Sequence, residues 1–252
     1  KWVTTQEKQK IYRDKFYLGN KKLIDDVKEL VEPIKLPDDF CLLLQCKKNN
    51  PHFLRALKHI EQRGLTIADI WRYKIGISED IRWQNRVIIP SFDSKGQLND
   101  FVGRTLLSNT FIKYDSLNQN KLNTIFNEFD VDWTKQLVLC EGVFDMMKCG
   151  DNVVPLLGSE LNEESYLFEQ IIIHSTPIAL ALDQDMFNTK TPKIAKKLQD
   201  FNIDVKIVKL TKSDPGTMTK DEFQEALSNA FEPNWNNMLL NKLSNLSFSL
   251  SI

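Results

Sequence analysis

Two apolar stretches that each end in acidic residues constrain the fold of this chain more than any other feature. Residues 136–140 (QLVLC) lead into Glu141 and then Asp145, and residues 177–182 (PIALAL) lead into Asp183 and Asp185. Apolar runs of this length between helical patterns are typical of central strands in a parallel sheet, where ligands bind beyond the carboxyl ends of the strands. Residues two apart in an extended chain point the same way, so Asp183 and Asp185 are predicted to direct two carboxylates at one point.

Glu141 and this aspartate pair together predict a metal site made of oxygen ligands. Hard divalent cations such as Mg²⁺ prefer carboxylates and water, and Mn²⁺ accepts the same ligands. Such cations commonly serve phosphate chemistry. A structural alternative exists for Glu141 and Asp145, because an acidic residue at the start of a helix also complements the helix dipole.

The pattern of apolar and polar residues predicts helices and strands along the rest of the chain. Helices are predicted at 23–31 and across 51–76, followed by a hairpin of residues 87–89 and 98–102, with Arg86 before it and Arg104 after it. Strands and helices then alternate to residue 210. Thr219 and Glu222 have the spacing of a capping box, which predicts a further helix, and no confident structure is predicted after Pro233.

These motifs carry a family resemblance. The order Glu-Gly-Val-Phe-Asp at 141–145 and Asp-Gln-Asp at 183–185 resembles the Toprim signature of bacterial-type primases, topoisomerases, small nucleases and recombination-mediator proteins. Residues 85–104 (NRVIIPSFDSKGQLNDFVGR) resemble the basic half of the primase RNA-polymerase core, with its Arg-Val-x-x-Pro and Gly-Arg motifs. Residues 111–114 (FIKY), 157–159 (LGS) and 213–215 (SDP) follow in the family's order. The resemblance covers roughly residues 50–227 and is closest to primases of T-even-like phages.

The resemblance implies an α/β fold in which a Toprim domain, a parallel sheet flanked by helices, follows a basic α+β subdomain. The domain limits that it implies are a helical leader or linker at 1–48, the basic subdomain at 49–130, the Toprim domain at 131–215, and a C-terminal helix and tail at 216–252.

The resemblance also implies which side chains carry the chemistry. It makes Glu141, Asp183 and Asp185 the catalytic and metal-binding carboxylates, with Asp145 and Asp214 as further metal ligands. It assigns binding of nucleotide or DNA to four basic residues: Arg86, Arg104, Lys113 and Lys121. The chain departs from the family pattern at Gly216, often acidic in the family, and at Ile112, where the family has proline.

The implied function is that of a DNA primase catalytic core. Such a core makes short RNA primers on single-stranded DNA from ribonucleoside triphosphates by two-metal nucleotidyl transfer, with a replicative helicase as partner and phage replication as the setting. Two alternatives stay open. A Toprim nuclease would hydrolyse phosphodiesters with the same carboxylates, and a recombination-mediator-like module would use the domain as a non-catalytic binding surface.

The distribution of charge agrees with a protein that binds a polyanion on one side and cations on the other. The net charge is −1, but residues 1–120 contain 21 Lys and Arg against 15 Asp and Glu, whereas residues 121–252 contain 12 against 19. A basic half beside an acidic half suits nucleic acid and metal ions respectively. The alternative is that these charges are scattered over solvated faces.

Cysteine usage and hydropathy indicate the compartment. Four scattered cysteines fit a reducing environment better than a disulfide framework, and Cys140 and Cys149 are predicted to be buried apolar residues. Cys41 and Cys46 lack the second ligand pair of a zinc site, so no zinc is expected in this chain. No apolar run approaches the roughly 18 residues of a membrane span, so a cytoplasmic protein with no membrane partner is expected. Lys1 in place of Met suggests a fragment.

Overall fold

The structure is a computed structural model that describes residues 34–108, 110–117, 121–158 and 160–233. The helix predicted at 23–31 and the tail after residue 233 lie outside the described residues. Within these ranges, no helix is both long and apolar enough to cross a membrane.

Two capped helices open the first half, as the pattern of residues 51–76 predicts. Helix α1 (Pro51–Gln62) begins at Asn50, whose side chain accepts the His52 N–H, and Pro51 occupies a first-turn position where its missing N–H costs nothing. Helix α2 (Ile67–Arg72) begins with a reciprocal capping box between Thr66 and Asp69.

An antiparallel sheet, whose first strand precedes these helices, contains Arg86 and Arg104. Its strands are β1 (Cys41–Leu42), β2 (Gly76–Ile77), β3 (Arg86–Phe92), β4 (Leu98–Thr105) and β5 (Tyr114–Ser116), and their order in the sheet is their order in the chain. The predicted hairpin is confirmed as β3 and β4. Arg86 and Arg104 lie within the strands, so their predicted flanking positions are wrong. Pairing of Arg104 with Tyr114 of β5 extends β4 beyond Val102.

A parallel sheet forms the second half and confirms the predicted α/β fold class. Its strands are β6 (Leu137–Cys140), β7 (Val153–Pro155), β8 (Ile178–Leu180) and β9 (Val205–Ile207), in the order β7-β6-β8-β9. Helices α3 (Val143–Cys149), α4 (Tyr166–His174) and α5 (Thr191–Gln199) connect successive strands, and α6 (Lys220–Ser228) follows with its predicted capping box. The strands β6, β8 and β9 are neighbours, so their carboxyl ends form one edge, called here the carboxyl edge.

The two halves are held together by a shared core. One buried cluster contains Phe53 of α1, Val102 of β4, Met147 of α3 and Phe223 of α6. Polar contacts cross the same boundary: the Lys148 ammonium donates to the Gly64 carbonyl over 3.0 Å, and the Lys220 ammonium lies 2.8 Å from the Asp69 carboxylate. The helical pair is therefore fixed directly against α3 and α6.

The cysteines divide into two pairs of different character. Cys140 and Cys149 are free and buried, as predicted. Cys41 and Cys46 lie side by side, a pairing that the sequence does not predict. The short helical turn between them brings their Cα atoms to 5.8 Å, within the range that a disulfide spans.

Candidate active site

Acidic residues collect at the carboxyl edge because each follows one of its strands. Glu141 comes directly after β6, Asp183 follows β8, and Asp214 lies in the chain that leaves β9. A hydrogen bond of 2.8 Å from the Gln184 N–H to the Ser213 carbonyl joins the loops that follow β8 and β9. The Asp214 turn is thereby held next to Asp183.

Asp183 is the most strongly perturbed of these residues. Its Oδ1 atom is buried and has no hydrogen-bond partner among the described residues. Burial raises the pKa of its carboxyl to about 7, and the negative charges of Asp145, Glu141, Asp214 and Asp185 contribute, in that order. An ionised carboxylate in this position lacks the compensation that a buried charge requires, which is a setting that a bound cation would relieve.

Glu141 and Asp185 form the outer part of the acidic group. Burial raises the pKa of Glu141, and the charge of Asp185 adds to the effect while Lys190 opposes it. Asp185 is exposed and lies in a helical turn (Gln184–Met186), so the chain after Asp183 is not extended. The extended backbone predicted for this pair is therefore wrong. The turn is closed by the Met186 N–H, which donates to the Asp183 carbonyl over 2.9 Å.

Asp145 bridges two loops of the site through its carboxylate. Its Oδ2 accepts the Gly142 N–H at 2.9 Å, and its Oδ1 accepts the Gly216 N–H at 3.0 Å. Burial raises its pKa to about 6, partly offset by these two hydrogen bonds. A Cβ atom at Gly216 would lie 2.7 Å from Oδ1, and one at Gly142 would lie 2.8 Å from Oδ2. The two glycines allow the backbone to approach this carboxylate closely.

The Asp214 carboxylate is likewise held by its own turn. Its Oδ1 accepts the Thr217 N–H at 2.9 Å, which caps a short helical turn, and its Oδ2 accepts the Ser213 hydroxyl at 2.8 Å. In the described part of the chain, no group of three or more His, Cys, Asp or Glu side chains has the arrangement of a preformed metal site. The donor set nevertheless fits a hard cation, since it combines crowded carboxylates with the unpaired buried oxygen of Asp183.

A cleft separates the carboxyl edge from the antiparallel sheet. Its volume is about 240 Å³, and it is lined by Val102, Tyr114, Asp115, Ser116, Glu141, Gly142, Val143, Leu157 and Gly158. The Tyr114 hydroxyl would lie 3.9 Å from a Cβ atom at Gly142. The Arg104 guanidinium packs 4.5 Å from the centre of the Tyr114 ring, and its Nε is buried without a hydrogen-bond partner among the described residues. The cleft therefore has Glu141 on one wall and residues of β5 on the other, with the Arg104 cation packed against the Tyr114 ring.

The other predicted basic residues are placed differently. The Arg86 guanidinium donates to the Gly103 carbonyl at 3.0 Å and the Ile112 carbonyl at 3.3 Å, so it supports the backbone of β4 and of the segment before β5. Lys113 is exposed just before β5. Lys121 begins a short helical turn (Lys121–Asn123), and its side chain lies outside the described residues.

Arg63 stands close to the acidic group and is absent from the sequence prediction. Its guanidinium lies 4.3 Å from the centre of the Phe144 ring, and its Nε donates to His59 Nε2 over 3.0 Å. Burial lowers the pKa of Arg63, while the charges of Asp145 and Asp214 oppose that effect. His59 and Arg63 share one face of α1, but nothing in the sequence indicates that this face meets the first turn of α3.

Comparison with known proteins gives one clear sequence relative. No model of a known protein family matches the chain. A DNA primase of Mycoplasma pneumoniae (strain ATCC 29342 / M129 / Subtype 1) is 33% identical over 138 residues, covering 50% of this chain and 22% of that protein. The chain thus matches about a fifth of the length of this curated relative.

Solved structures match a larger share of the chain. The DnaG catalytic core superposes with a TM-score of 0.62 at 18% identity, covering 78% of this chain and 79% of that one. The DnaG primase catalytic domain bound to ssDNA gives 0.61 at 18% identity, covering 77% of both chains. The fold is that of a DNA primase catalytic core. The RNA polymerase domain of Mycobacterium tuberculosis primase DnaG agrees, with a TM-score of 0.61 at 14% identity over 73% of this chain and 78% of that one.

The primase fold accounts for how the predicted residues are grouped. It brings the five predicted acidic residues to the carboxyl edge, and Glu141 lines the same cleft as strand β5. The comparisons support the bacterial-type primase core at the level of fold. The nearer likeness to phage primases and the role of each site residue stay predictions.

Proposed function

We propose that this chain is the catalytic core of a DNA primase, which synthesises short RNA primers on single-stranded DNA from ribonucleoside triphosphates. The observation that carries the proposal is the buried, unpaired carboxylate oxygen of Asp183 within a crowded acidic group, beside a cleft that has Arg104 behind its other wall. The similarity to a DNA primase in sequence, and to a primase domain bound to ssDNA in fold, supports this choice.

Glu141, Asp183 and Asp185 would hold divalent cations at the carboxyl edge, with Asp214 supplying a further carboxylate. Bound Mg²⁺ or Mn²⁺ would neutralise the triphosphate of the incoming nucleotide and lower the pKa of the attacking 3′-hydroxyl. Each carboxylate oxygen of Asp145 accepts a hydrogen bond from a backbone N–H group, so we assign this residue to positioning rather than to direct metal binding. It would keep the Glu141 loop and the Asp214 turn at a fixed separation.

The basic residues would hold phosphates on the opposite side of the cleft. Arg104 has an unpaired buried Nε, and an anion placed over the cleft would be attracted to its positive charge. Lys113 is exposed and can follow the backbone of a template strand, whereas Arg86 would act mainly by shaping the loop that carries Lys113. In the reaction, the 3′-oxygen attacks the α-phosphorus and pyrophosphate leaves, so the two walls would stabilise charge on both sides of the reacting phosphorus.

Further parts of the proposal rest on the family resemblance alone. These are the domain limits at 48, 130 and 215, a contribution of Lys121 to nucleotide or DNA binding, a replicative helicase as partner, phage replication as the setting, and the cytoplasm, of the host if the protein is phage-encoded, as the location.

The decisive experiment is primer synthesis. The chain is incubated with single-stranded DNA, the four ribonucleoside triphosphates and Mg²⁺ or Mn²⁺, with and without an added primase zinc domain, and short RNA products are resolved on a gel. The proposal expects short RNA that disappears in Asp185→Ala. Cleavage of DNA without any RNA product would instead support a nuclease. Binding to DNA with neither reaction would support a non-catalytic module.

A further inference from the structure

The connection between β4 and β5 exposes large apolar side chains beside the candidate active site. We call the described residues of this connection, 106–108 and 110–112, the 106–112 loop. Its Phe111 has a relative exposure of 107%, and Ile112 and Leu107 are 60% and 52% exposed. Single apolar residues on a surface are common, but a fully exposed aromatic side chain grouped with two exposed aliphatic ones marks a contact surface.

The loop is held in place by polar contacts at its base. The Thr105 N–H donates to the Lys113 carbonyl over 3.1 Å, and the Leu106 N–H donates to the Asn85 carbonyl over 2.8 Å. The Arg86 guanidinium reaches the Ile112 carbonyl at 3.3 Å. These bonds fix the two ends of the loop and leave the Phe111 ring open to solvent.

The charge around the loop indicates what it contacts. Arg86, Arg104 and Lys113 lie at its base, and the acidic Asp115 is already paired with Arg82 at 2.9 Å. A net positive surface attracts a polyanion. An aromatic side chain among such cations is the combination with which proteins bind single-stranded nucleic acid, because every base offers a face for stacking.

The position of the loop matches a strand that enters the cleft. Tyr114 lines the cleft and lies three residues after Phe111, so at most about 10 Å of chain separates the two residues. Phe111 therefore stands close to the mouth of the cleft, where an unpaired base next to the reacting position would pass.

We infer that Phe111, next in the loop to the exposed Ile112 and Leu107, forms a stacking surface for unpaired bases of a single-stranded DNA template at the mouth of the cleft. The inference rests on the proposed function and extends it by naming where the template bases are gripped. Stacking accepts any base, so this surface contributes affinity rather than sequence preference.

The test is the affinity of Phe111→Ala for a fluorescently labelled oligothymidylate, measured by anisotropy across a range of salt concentrations. Loss of one base–aromatic stack weakens binding by about 5-fold to 100-fold. The dependence of affinity on salt should match that of the wild type, because no phosphate contact is removed. Phe111→Trp keeps an aromatic face and should bind at least as tightly as the wild type.

Phe129→Ala is the matched control. Phe129 is another exposed aromatic residue, and it lies against Gly96 at the turn of the β3–β4 hairpin, roughly 25 Å along the strands from Thr105. It should bind the oligonucleotide like the wild type.

Three results would overturn the inference. Unchanged affinity of Phe111→Ala, with primer synthesis intact, would reject the stacking surface while leaving the proposed function standing, and would leave a protein partner as the occupant of the loop. A melting temperature several degrees lower in Phe111→Ala would show that the ring packs against the rest of the chain. A wild-type protein that binds no single-stranded DNA would remove the inference together with the proposed function.

Discussion

Replacement of Asp183 by asparagine should stabilise the metal-free protein at neutral pH. The carboxyl of Asp183 has its pKa raised to about 7 by burial and by four neighbouring carboxylates, and one of its oxygens is buried without a partner among the described residues. The folded state therefore binds a proton more readily than the unfolded chain does. Stability gained from this proton is present below the unfolded value near pH 4 and is lost as the pH rises through about 7.

The magnitude follows from the displacement of this pKa. Raising the pKa of Asp183 from 3.8 to about 7 corresponds to an upper limit of about 4 kcal/mol at about 1.36 kcal/mol per pKa unit. The side chain is only partly buried, and solvent screening reduces this to about 1–2 kcal/mol. Asp183→Asn should remove the penalty at pH 8 and raise the melting temperature by about 2–8 °C.

Thermal unfolding between pH 5 and pH 8, in EDTA and in Mg²⁺, checks this prediction. The wild type should gain stability as the pH falls, and the mutant should show a flatter dependence and a smaller increase in melting temperature with Mg²⁺. Asp204→Asn is the control, because Asp204 is exposed at the amino end of β9, away from the carboxyl edge. A mutant that is less stable than the wild type at pH 8, or equally dependent on pH and Mg²⁺, would refute the reasoning.

Further substitutions separate metal binding, loop geometry and phosphate binding. Asp185→Ala should abolish ribonucleotide incorporation and leave the affinity for single-stranded DNA within about 2-fold, because the proposed template contacts are made by Arg104 and Lys113 and not by the acidic group. Gly216→Ala would place a Cβ atom 2.7 Å from Asp145 Oδ1 and disturb the hydrogen bond from the Gly216 N–H to that oxygen. It should therefore lower the free energy of unfolding in urea by about 1–3 kcal/mol. Gly158→Ala is the control, because a Cβ atom there would meet open space, and it should lower the free energy of unfolding far less. Arg104→Ala and Lys113→Ala should each reduce, by about one, the slope of log affinity for single-stranded DNA against log salt concentration. Slopes equal to that of the wild type in both variants would show that neither residue contacts phosphate.

The order of elements and the position of the acidic edge could be predicted from the sequence. Apolar runs such as residues 177–182 mark buried strands by themselves, and residues that follow neighbouring parallel strands must meet at one edge. Local conformation after the strand could not be predicted. The sequence predicts Asp183 and Asp185 in extended chain, but a hydrogen bond back to the Asp183 carbonyl closes a short helical turn there.

Contacts between distant parts of the chain also could not be predicted from the sequence. Arg63 lies at the end of α1, and its position near the acidic group depends on how α1 packs against Phe144. The pairing of Arg104 with Tyr114 likewise depends on a short strand that has no periodic pattern of its own. Both are tertiary effects, because the partner residue is chosen by packing and not by neighbours in sequence.

The shared core has a consequence for how such a chain can change over evolutionary time. Phe53, Val102, Met147 and Phe223 come from both halves yet pack in one cluster, and Lys148 and Lys220 reach across to the helical pair. Neither half could be exchanged by recombination without leaving apolar surface uncovered. Substitutions on the two sides of this boundary should therefore be inherited together. Because the shared core fixes one half against the other, the distance between Arg104 and the acidic group at the carboxyl edge would be retained.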